Sequence, residues 1–295
     1  GGAYALLTRS GGRPATGGIV TEFPHIHGMG ADPETADTLW LGTHGMLVKV
    51  VGTTQWIRIG QTNYDLMGFN VHPTKPGVLL TSGHPGAGDP RPNPLGVEMS
   101  EDGGEHWASL SMAGQADFHA MSVSPADPQV VYAWNVSGAV GFYRSRDGGR
   151  QWTHVPTTFR QVFALAASPT NREEVWAGTD AGLFRSRDGG SAWQPVSPNV
   201  TGFPVTAIAI HMARPSNVYA YAAAPQFGLI RSNDGGNSWK PLGMFLGSED
   251  AVGYLALDPK NPNLLYFATF SSDLYWSADG GRTRRQLVRG GQVLR

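Results

Sequence analysis

One short phrase returns five times along the chain: a Ser, a variable residue, an Asp, two glycines and, in four copies, a Trp three residues later. The five aspartates lie 45, 41, 46 and 45 residues apart, at Asp102, Asp147, Asp188, Asp234 and Asp279. A period of this length is typical of a four-stranded propeller blade. The repeat therefore predicts an all-β fold, a single β-propeller with these turns on one face.

The chemistry of the phrase fits a tight turn between two strands. An Asp side chain can accept hydrogen bonds from the backbone amides that follow it. Two glycines supply the positive φ that a tight hairpin demands. The Trp begins the next strand, where we expect its ring to fill the gap between neighbouring blades.

Alternating apolar strands and Pro-containing turns surround each phrase, which allows the repeats to be counted. Complete repeats begin near residues 23, 64, 117, 161, 204 and 251. We therefore predict six blades over 23–295. Residues 1–22 are expected to add strands that help to close the ring, and a seventh blade is the alternative.

Composition narrows the classes of function. With 15% charged residues and a net charge of −1, the chain lacks the basic footprint of a nucleic-acid-binding protein. It has no Cys, which excludes disulfides, thiolate ligands and cysteine nucleophiles. No apolar run approaches 18 residues, so no membrane span is predicted. The chain begins with Gly rather than Met, and we expect that a signal peptide has been removed.

Strand order sorts the histidines onto the two faces of the predicted disk. The starts of first strands and the loops after second strands share the upper face, while the Asp-Gly-Gly turns lie on the lower face. Five of the nine histidines map to the upper face of the first three blades: His25, His27, His44, His84 and His119. A structural role is expected for the other four, which are His72, His106, His154 and His211.

This cluster predicts a metal site at the mouth of the central channel. The predicted ligands are His25, His27, His84 and His119, with His44 and Met67 as additional ligands. Imidazole suits Zn, Cu, Fe and Ni, and a thioether favours copper, so copper is expected and zinc is the alternative. Asp65 and Asp117 could accept the second ring N–H of a ligating histidine. About one ion per chain is expected.

The same residues carry a family resemblance. The phrases are similar to the Asp-box, or BNR, repeat of sialidases and sortilin-type receptors. These phrases and five further motifs together resemble a family of exported bacterial Asp-box propellers commonly labelled glycosyl hydrolases. The resemblance covers residues 23–288. The motifs are His25-Ile-His-Gly, Thr43-His-Gly, Tyr64-Asp-Leu-Met-Gly68, Ser82-Gly-His-Pro85 and Asp117-Phe-His119. The resemblance implies a secreted, periplasmic or cell-envelope protein and supplies no demonstrated reaction.

Two other functions remain open from the sequence. A glycoside hydrolase needs two carboxylates roughly 5 to 10 Å apart, and Asp65 and Asp117 are its candidates on the upper face. Asp180, Asp250 and Asp273 are further carboxylates there, and Tyr64, Trp134 and Trp276 are candidate sugar platforms. No arginine triad for a sialic carboxylate falls on that face. The third reading is a non-catalytic scaffold that binds a protein partner, with the loop at 84–94 as a docking element or lid.

Overall fold

A computed structural model describes residues 17–295. Its strands form six antiparallel sheets arranged as the blades of a β-propeller, and the described residues contain almost no helix. The predicted all-β, six-bladed fold is confirmed. The part of the predicted N-terminal strands at residues 1–16 lies outside the described residues. No helix in the described part of the chain is long and apolar enough to cross a membrane.

Each blade is a meander whose strands pair in chain order. Blade 1 contains β1 (Ile26–Ala31), β2 (Thr38–Thr43), β3 (Leu47–Val51) and β4 (Gln55–Ile59). Blade 2 contains β5 (Met67–Val71), β6 (Leu79–Ser82), β7 (Val97–Ser100) and β8 (Ala108–Ser111). Blade 3 contains β9 (Phe118–Val123), β10 (Val131–Asn135), β11 (Gly141–Ser145) and β12 (Thr153–Val155).

Blades 4 to 6 follow the same plan, with one extra strand at the end. Blade 4 contains β13 (Val162–Ala167), β14 (Val175–Thr179), β15 (Gly182–Ser186) and β16 (Gln194–Pro195). Blade 5 contains β17 (Val205–Ile210), β18 (Val218–Ala222), β19 (Gly228–Ser232) and β20 (Lys240–Pro241). Blade 6 contains β21 (Val252–Leu257), β22 (Leu265–Thr269), β23 (Leu274–Ser277), β24 (Arg285–Arg289) and β25 (Gln292–Val293). One turn of 3-10 helix, Pro198–Val200, precedes blade 5.

The first strand of every blade lies innermost, and neighbouring first strands contact each other in a closed ring. They surround a central channel of about 240 Å³ to which all six blades contribute. His27 and His119 are among its lining residues, as are Phe163 and Gly253. The ring therefore brings residues far apart in sequence to one axis.

Six apolar clusters hold the disk together, and each lies between two neighbouring blades. The tryptophans that follow the Asp-Gly-Gly turns pack against the interface with the preceding blade: Trp107, Trp152, Trp193 and Trp239. The predicted packing of these rings between blades is confirmed. In the fifth turn Arg284 replaces the Trp and donates hydrogen bonds to the carbonyls of Leu242 and Gly243 in blade 5.

The five Asp-Gly-Gly turns share one hydrogen-bond pattern. In blade 3, Asp147 Oδ1 accepts the amides of Arg150 and Gln151, and the Ser145 hydroxyl donates to the same carboxylate. Gly148 and Gly149 have φ values of 73° and 91°, in the left-handed region. Since glycine enters this region without steric cost, both the predicted turn and its reason are confirmed.

Residues that precede blade 1 lie across the junction of the first and last blades. Ile19 pairs with Ile57 of β4, and Glu22 pairs with Gln292 of β25. The Phe23 amide donates to the carbonyl of Gly291. This segment therefore joins the outer edge of blade 1 to the outer edge of blade 6.

Candidate functional site

A β-bulge marks the channel mouth in the innermost strands. In five blades a single residue of the first strand is skipped by the pairing with the second strand: His27, His119, Phe163, Thr206 and Gly253. In blade 2 the irregularity is wider and extends from Met67 to Asn70. A bulge bends the strand and re-aims the side chain of the extra residue. In five of the six blades, this backbone irregularity therefore sets one inner-strand residue near the channel mouth apart from the regular alternation.

The first histidine cluster joins blades 1 and 2. Asp65 precedes β5, and its Oδ1 contacts Nδ1 of His44 from the loop after β2. His27 Nδ1 lies 3.8 Å from the same oxygen, too far for a hydrogen bond. That nitrogen is buried and has no hydrogen-bond partner among the described residues. One carboxylate oxygen therefore faces two imidazoles, and only His44 contacts it directly.

The second cluster joins blades 2 and 3 and is tighter. Asp117 precedes β9, and its side chain is only 5% exposed. Its Oδ2 lies 2.9 Å from His119 Nε2 and 3.1 Å from His84 Nε2. We refer to His27, His44 and Asp65 as the first triad, and to His84, Asp117 and His119 as the second triad. In each triad three potential ligand atoms lie within 4.8 Å of one another.

The protonation of the histidines follows from their surroundings. Burial lowers the pKa of His27 to about 4; the positive charges of neighbouring His44, His25 and His119 act in the same direction, and Asp65 opposes them. His27 is therefore a neutral imidazole at pH 7, which is the form that binds a metal. The hydrogen bond with Asn93 and the charges of Asp117 and Asp65 raise the pKa of His84, against the effect of its partial burial.

Both ring nitrogens of His84 face oxygen acceptors. Nδ1 lies 2.7 Å from Asn93 Oδ1, and Nε2 faces Asp117. A neutral imidazole has only one N–H to donate, so this arrangement suits either an imidazolium or an imidazole with a cation at Nε2. The charge of His119 contributes to the lowered pKa of His27, and the charge of Asp65 to the raised pKa of His84, so each triad influences a histidine of the other.

The remaining two predicted ligands lie beside the triads. The exposed ring of His25 stacks on that of His27, with centroids 6.4 Å apart and planes 14° apart. His25 belongs to neither triad. Met67 is half-buried at the start of β5, at the sequence position that matches His27 and His119. The structure thus brings His27, His44, His84 and His119 to carboxylates, and leaves the roles of His25 and Met67 as predictions.

The other four histidines have local partners. His72 and His211 follow inner strands and accept two backbone amides each at Nδ1, where other blades use Asp or Ser. His106 contacts Asp102, and His154 stacks on Tyr143 with centroids 4.9 Å apart. These contacts agree with the expected structural roles.

Sequence reasoning missed a network that holds the loop at 84–94. Arg91 forms a 2.6 Å ion pair with the buried Glu98 and lies 4.3 Å above the Tyr64 ring. It also binds Asp89 of its own loop. Tyr64 adjoins Asp65 in the chain, and Asn93 of the same loop contacts His84. The Arg and Asn within a Pro-rich loop were the available signal, but the alternating pattern of the strands does not show which side chains they contact.

The glycoside hydrolase hypothesis expects exposed sugar platforms and free carboxylates on the upper face, and the structure places several of these residues differently. Tyr64 and Trp134 are buried, so neither presents a ring face to solvent. The Trp276 indole N–H is directed to Asp37, in the turn between β1 and β2 on the lower face. Asp250 and Asp273 accept backbone amides from blade 6 and its flanking loops. Asp65 and Asp117 are the upper-face carboxylates that contact histidines.

Comparison with known proteins supports the propeller fold. No protein-family model and no curated protein match the sequence. A GH74 enzyme from Niastella koreensis has a TM-score of 0.66 at 17% identity, covering 92% of this chain and 46% of that one. The GH74 xyloglucanase from Xanthomonas campestris has a TM-score of 0.61 at 18% identity, covering 88% and 45%. YCF48 bound to D1 peptide has a TM-score of 0.53 at 18% identity, covering 92% and 84%.

These similarities have a defined scope. The chain spans slightly less than half the length of either GH74 enzyme. At identities below 20%, the likeness concerns the fold and not the chemistry, because one fold hosts many functions. Function must therefore be argued from the triads.

Proposed function

We propose that the protein is an exported, metal-binding β-propeller that holds copper, with zinc as the alternative, at the mouth of its channel. The observation that carries the proposal is the convergence of two imidazole nitrogens on one carboxylate oxygen, found twice on neighbouring blades. The exported location is implied by the family resemblance. Metal handling or redox chemistry at the cell envelope is the function that follows.

Geometry in the second triad supports a shared ion. Two ligand atoms that each lie 2.0–2.2 Å from one metal are separated by about 2.8 to 3.6 Å at right to tetrahedral angles. The His–Asp separations of 2.9 and 3.1 Å are close to that range. The first triad is wider, and its unpaired His27 nitrogen can move toward an ion without breaking a hydrogen bond.

The donor set favours a divalent ion. Imidazole with carboxylate suits Cu²⁺ and Zn²⁺, whereas Cu⁺ prefers thiolate and thioether ligands. Cu²⁺ binds a given nitrogen and oxygen site more tightly than Zn²⁺. We therefore propose that Cu²⁺ is the ion bound more tightly. Each triad holds one ion, and the second triad is filled first.

Elemental analysis tests this proposal directly. Protein purified without a His tag is loaded with Cu²⁺ or Zn²⁺, desalted and measured by inductively coupled plasma mass spectrometry. We expect up to two ions per chain, and loss of one ion in either His27→Ala or His119→Ala. His106→Gln is the matched control, since this histidine is exposed and contacts only Asp102 of its own turn. Wild-type protein that retains no metal would exclude the proposal.

A glycoside hydrolase is the second candidate, favoured by the fold shared with the GH74 enzymes and by two carboxylates on adjacent blades. Each of these carboxylates contacts at least one histidine. Xyloglucan is a rational first substrate, because one structural neighbour is a xyloglucanase. Turnover of xyloglucan by metal-free protein, lost in both Asp65→Asn and Asp117→Asn, would favour this candidate over metal binding.

A protein-binding scaffold is the third candidate, favoured by the likeness to YCF48 bound to a D1 peptide. The loop at 84–94 is its candidate docking element. Pull-down with wild-type protein and with a variant in which this loop is shortened would test it. A specific partner that is lost with the loop, from protein that binds no metal, would support this reading.

A further inference from the structure

The channel mouth has two unlike sides. Because the ring has six blades, blade 1 lies opposite blade 4, and blade 3 lies opposite blade 6. The bulged residues on one side are His27 and His119. Their counterparts across the channel are Phe163 and Gly253. None of the six equivalent rim positions holds Lys or Arg.

An aromatic ring occupies the rim even where the bulged residue is glycine. A Cβ atom added to Gly253 would lie 2.5 Å from the ring of Phe270, which follows β22 on the upper face. That ring is 45% exposed and packs edge-on against Tyr254, with centroids 6.1 Å apart. Phe163 is half-buried and lines the channel. Phe163 thus lies in the blade opposite His27, and Phe270 covers the bulged Gly253 in the blade opposite His119.

We propose that the mouth binds a small aromatic molecule that carries a metal-ligating oxygen group. The inference rests on the proposed metal site: the oxygen group would bind an ion held by one of the triads, and the ring would pack against Phe163 and Phe270. A half-exposed Phe at a ligand mouth gains free energy when another apolar surface covers it. A free anion would leave that surface wet and would find no Arg or Lys at the six rim positions.

Two probes that differ only in their apolar part test the proposal. Benzohydroxamate and acetohydroxamate present the same metal-ligating group, but only the first carries a ring. We expect copper-loaded protein to bind benzohydroxamate about tenfold more tightly, a difference of about 1.4 kcal/mol, because its ring gains an aromatic contact and buries apolar surface. Isothermal titration calorimetry measures the affinity of each probe for the copper-loaded protein. The difference between the affinities of the two probes for free Cu²⁺ is measured separately and subtracted.

Two variants test whether the preference for benzohydroxamate comes from the side of the channel mouth that carries Phe163 and Phe270. Phe163→Ala and Phe270→Ala should each reduce the ratio of affinities severalfold while retaining copper. Phe245→Ala is the control: this Phe is 39% exposed on the same face, but its loop lies along β19, a third strand, rather than at the channel. It should leave the ratio unchanged.

The outcomes separate this inference from the function on which it rests. Copper retention with equal affinity for the two probes would overturn the aromatic site and leave the metal site standing. A preference that is insensitive to both phenylalanine variants would also overturn it. Failure to retain copper would remove the metal site, and the aromatic inference with it.

Discussion

The two halves of the upper rim share a backbone plan and differ in their side chains. In both halves the residue that follows the second strand donates its amide to the residue that precedes the first strand, as His44 does to His25 and Asp180 to Gln161. The preceding residues are His25, Asp65 and Asp117 in blades 1 to 3, and Gln161, Pro204 and Ala251 in blades 4 to 6. The backbone thus sets the position of each rim residue, and the amino-acid sequence sets which functional group lies there.

This difference teaches that the repeats are equivalent structurally but not functionally. Packing selects the same residue types in every blade, because each interface must be filled by a Trp or its substitute and each lower turn must satisfy its amides. The rim positions carry no such demand. A concentration of upper-face His in three consecutive blades is therefore unexplained by the fold, which is the reason to attribute it to binding.

The largest expected effect comes from removing the carboxylate of one half. Asp117→Ala deletes the oxygen that two histidines share, and we expect copper affinity at the second triad to fall about a hundredfold or more, since changes to supporting groups alone cost 10- to 100-fold. Asp180→Ala removes a rim carboxylate from the other half and should leave affinity unchanged. Calorimetric titration of both variants checks this. Equal losses would contradict a site confined to blades 1 to 3.

The fold could be predicted from the sequence because its signals are local and repeated. An Asp-Gly-Gly turn needs its Ser, Asp and glycines within five residues, and five copies reveal the blade length. The sharing of one face by His27, His44 and His84 could also be predicted, because strand order alone assigns faces.

The division of the histidines into two triads could not be predicted in this way. It depends on the bulges at His27 and His119, which the alternating pattern of a regular strand does not reveal. It depends also on which carboxylate each ring reaches across a blade boundary. The sequence-based expectation of a single cluster that includes His25 and Met67 therefore remains untested. The other four histidines predicted as ligands, namely His27, His44, His84 and His119, lie beside carboxylates.

The next largest effect concerns the contacts that hold the loop at 84–94 in the half of the rim formed by blades 1 to 3. Arg91→Ala leaves Glu98, which is 1% exposed, without its ion-pair partner, and we expect a loss of about 3 kcal/mol in the free energy of unfolding. Arg172→Ala breaks an exposed pair with Asp127 and should cost less than about 1 kcal/mol. Urea unfolding measures both.

A positioning role for Arg91 requires a second readout. Because Arg91 holds the loop whose Asn93 contacts His84, its replacement should also weaken copper at the second triad more than at the first. Arg91→Lys restores the charge but not the forked contact to Asp89 and Glu98, and it should recover stability only in part. Copper affinity equal to wild type in Arg91→Ala would restrict this residue to stabilising the fold.

The smallest effect tests whether the two halves differ only at the upper rim. His72 in blade 2 and His211 in blade 5 play the same part in lower-face turns, and burial lowers the pKa of each. A histidine whose pKa is depressed by folding contributes stability that is complete above its unfolded value of about 6.5 and is lost as the pH falls below it. Ser occupies the equivalent position in two other blades, at Ser124 and Ser168. Urea unfolding of metal-free His72→Ser and His211→Ser between pH 5 and 7.5 should therefore show a shallower fall in stability than wild type, by similar amounts. A change in slope for only one of them would mean that the asymmetry between the halves extends below the rim.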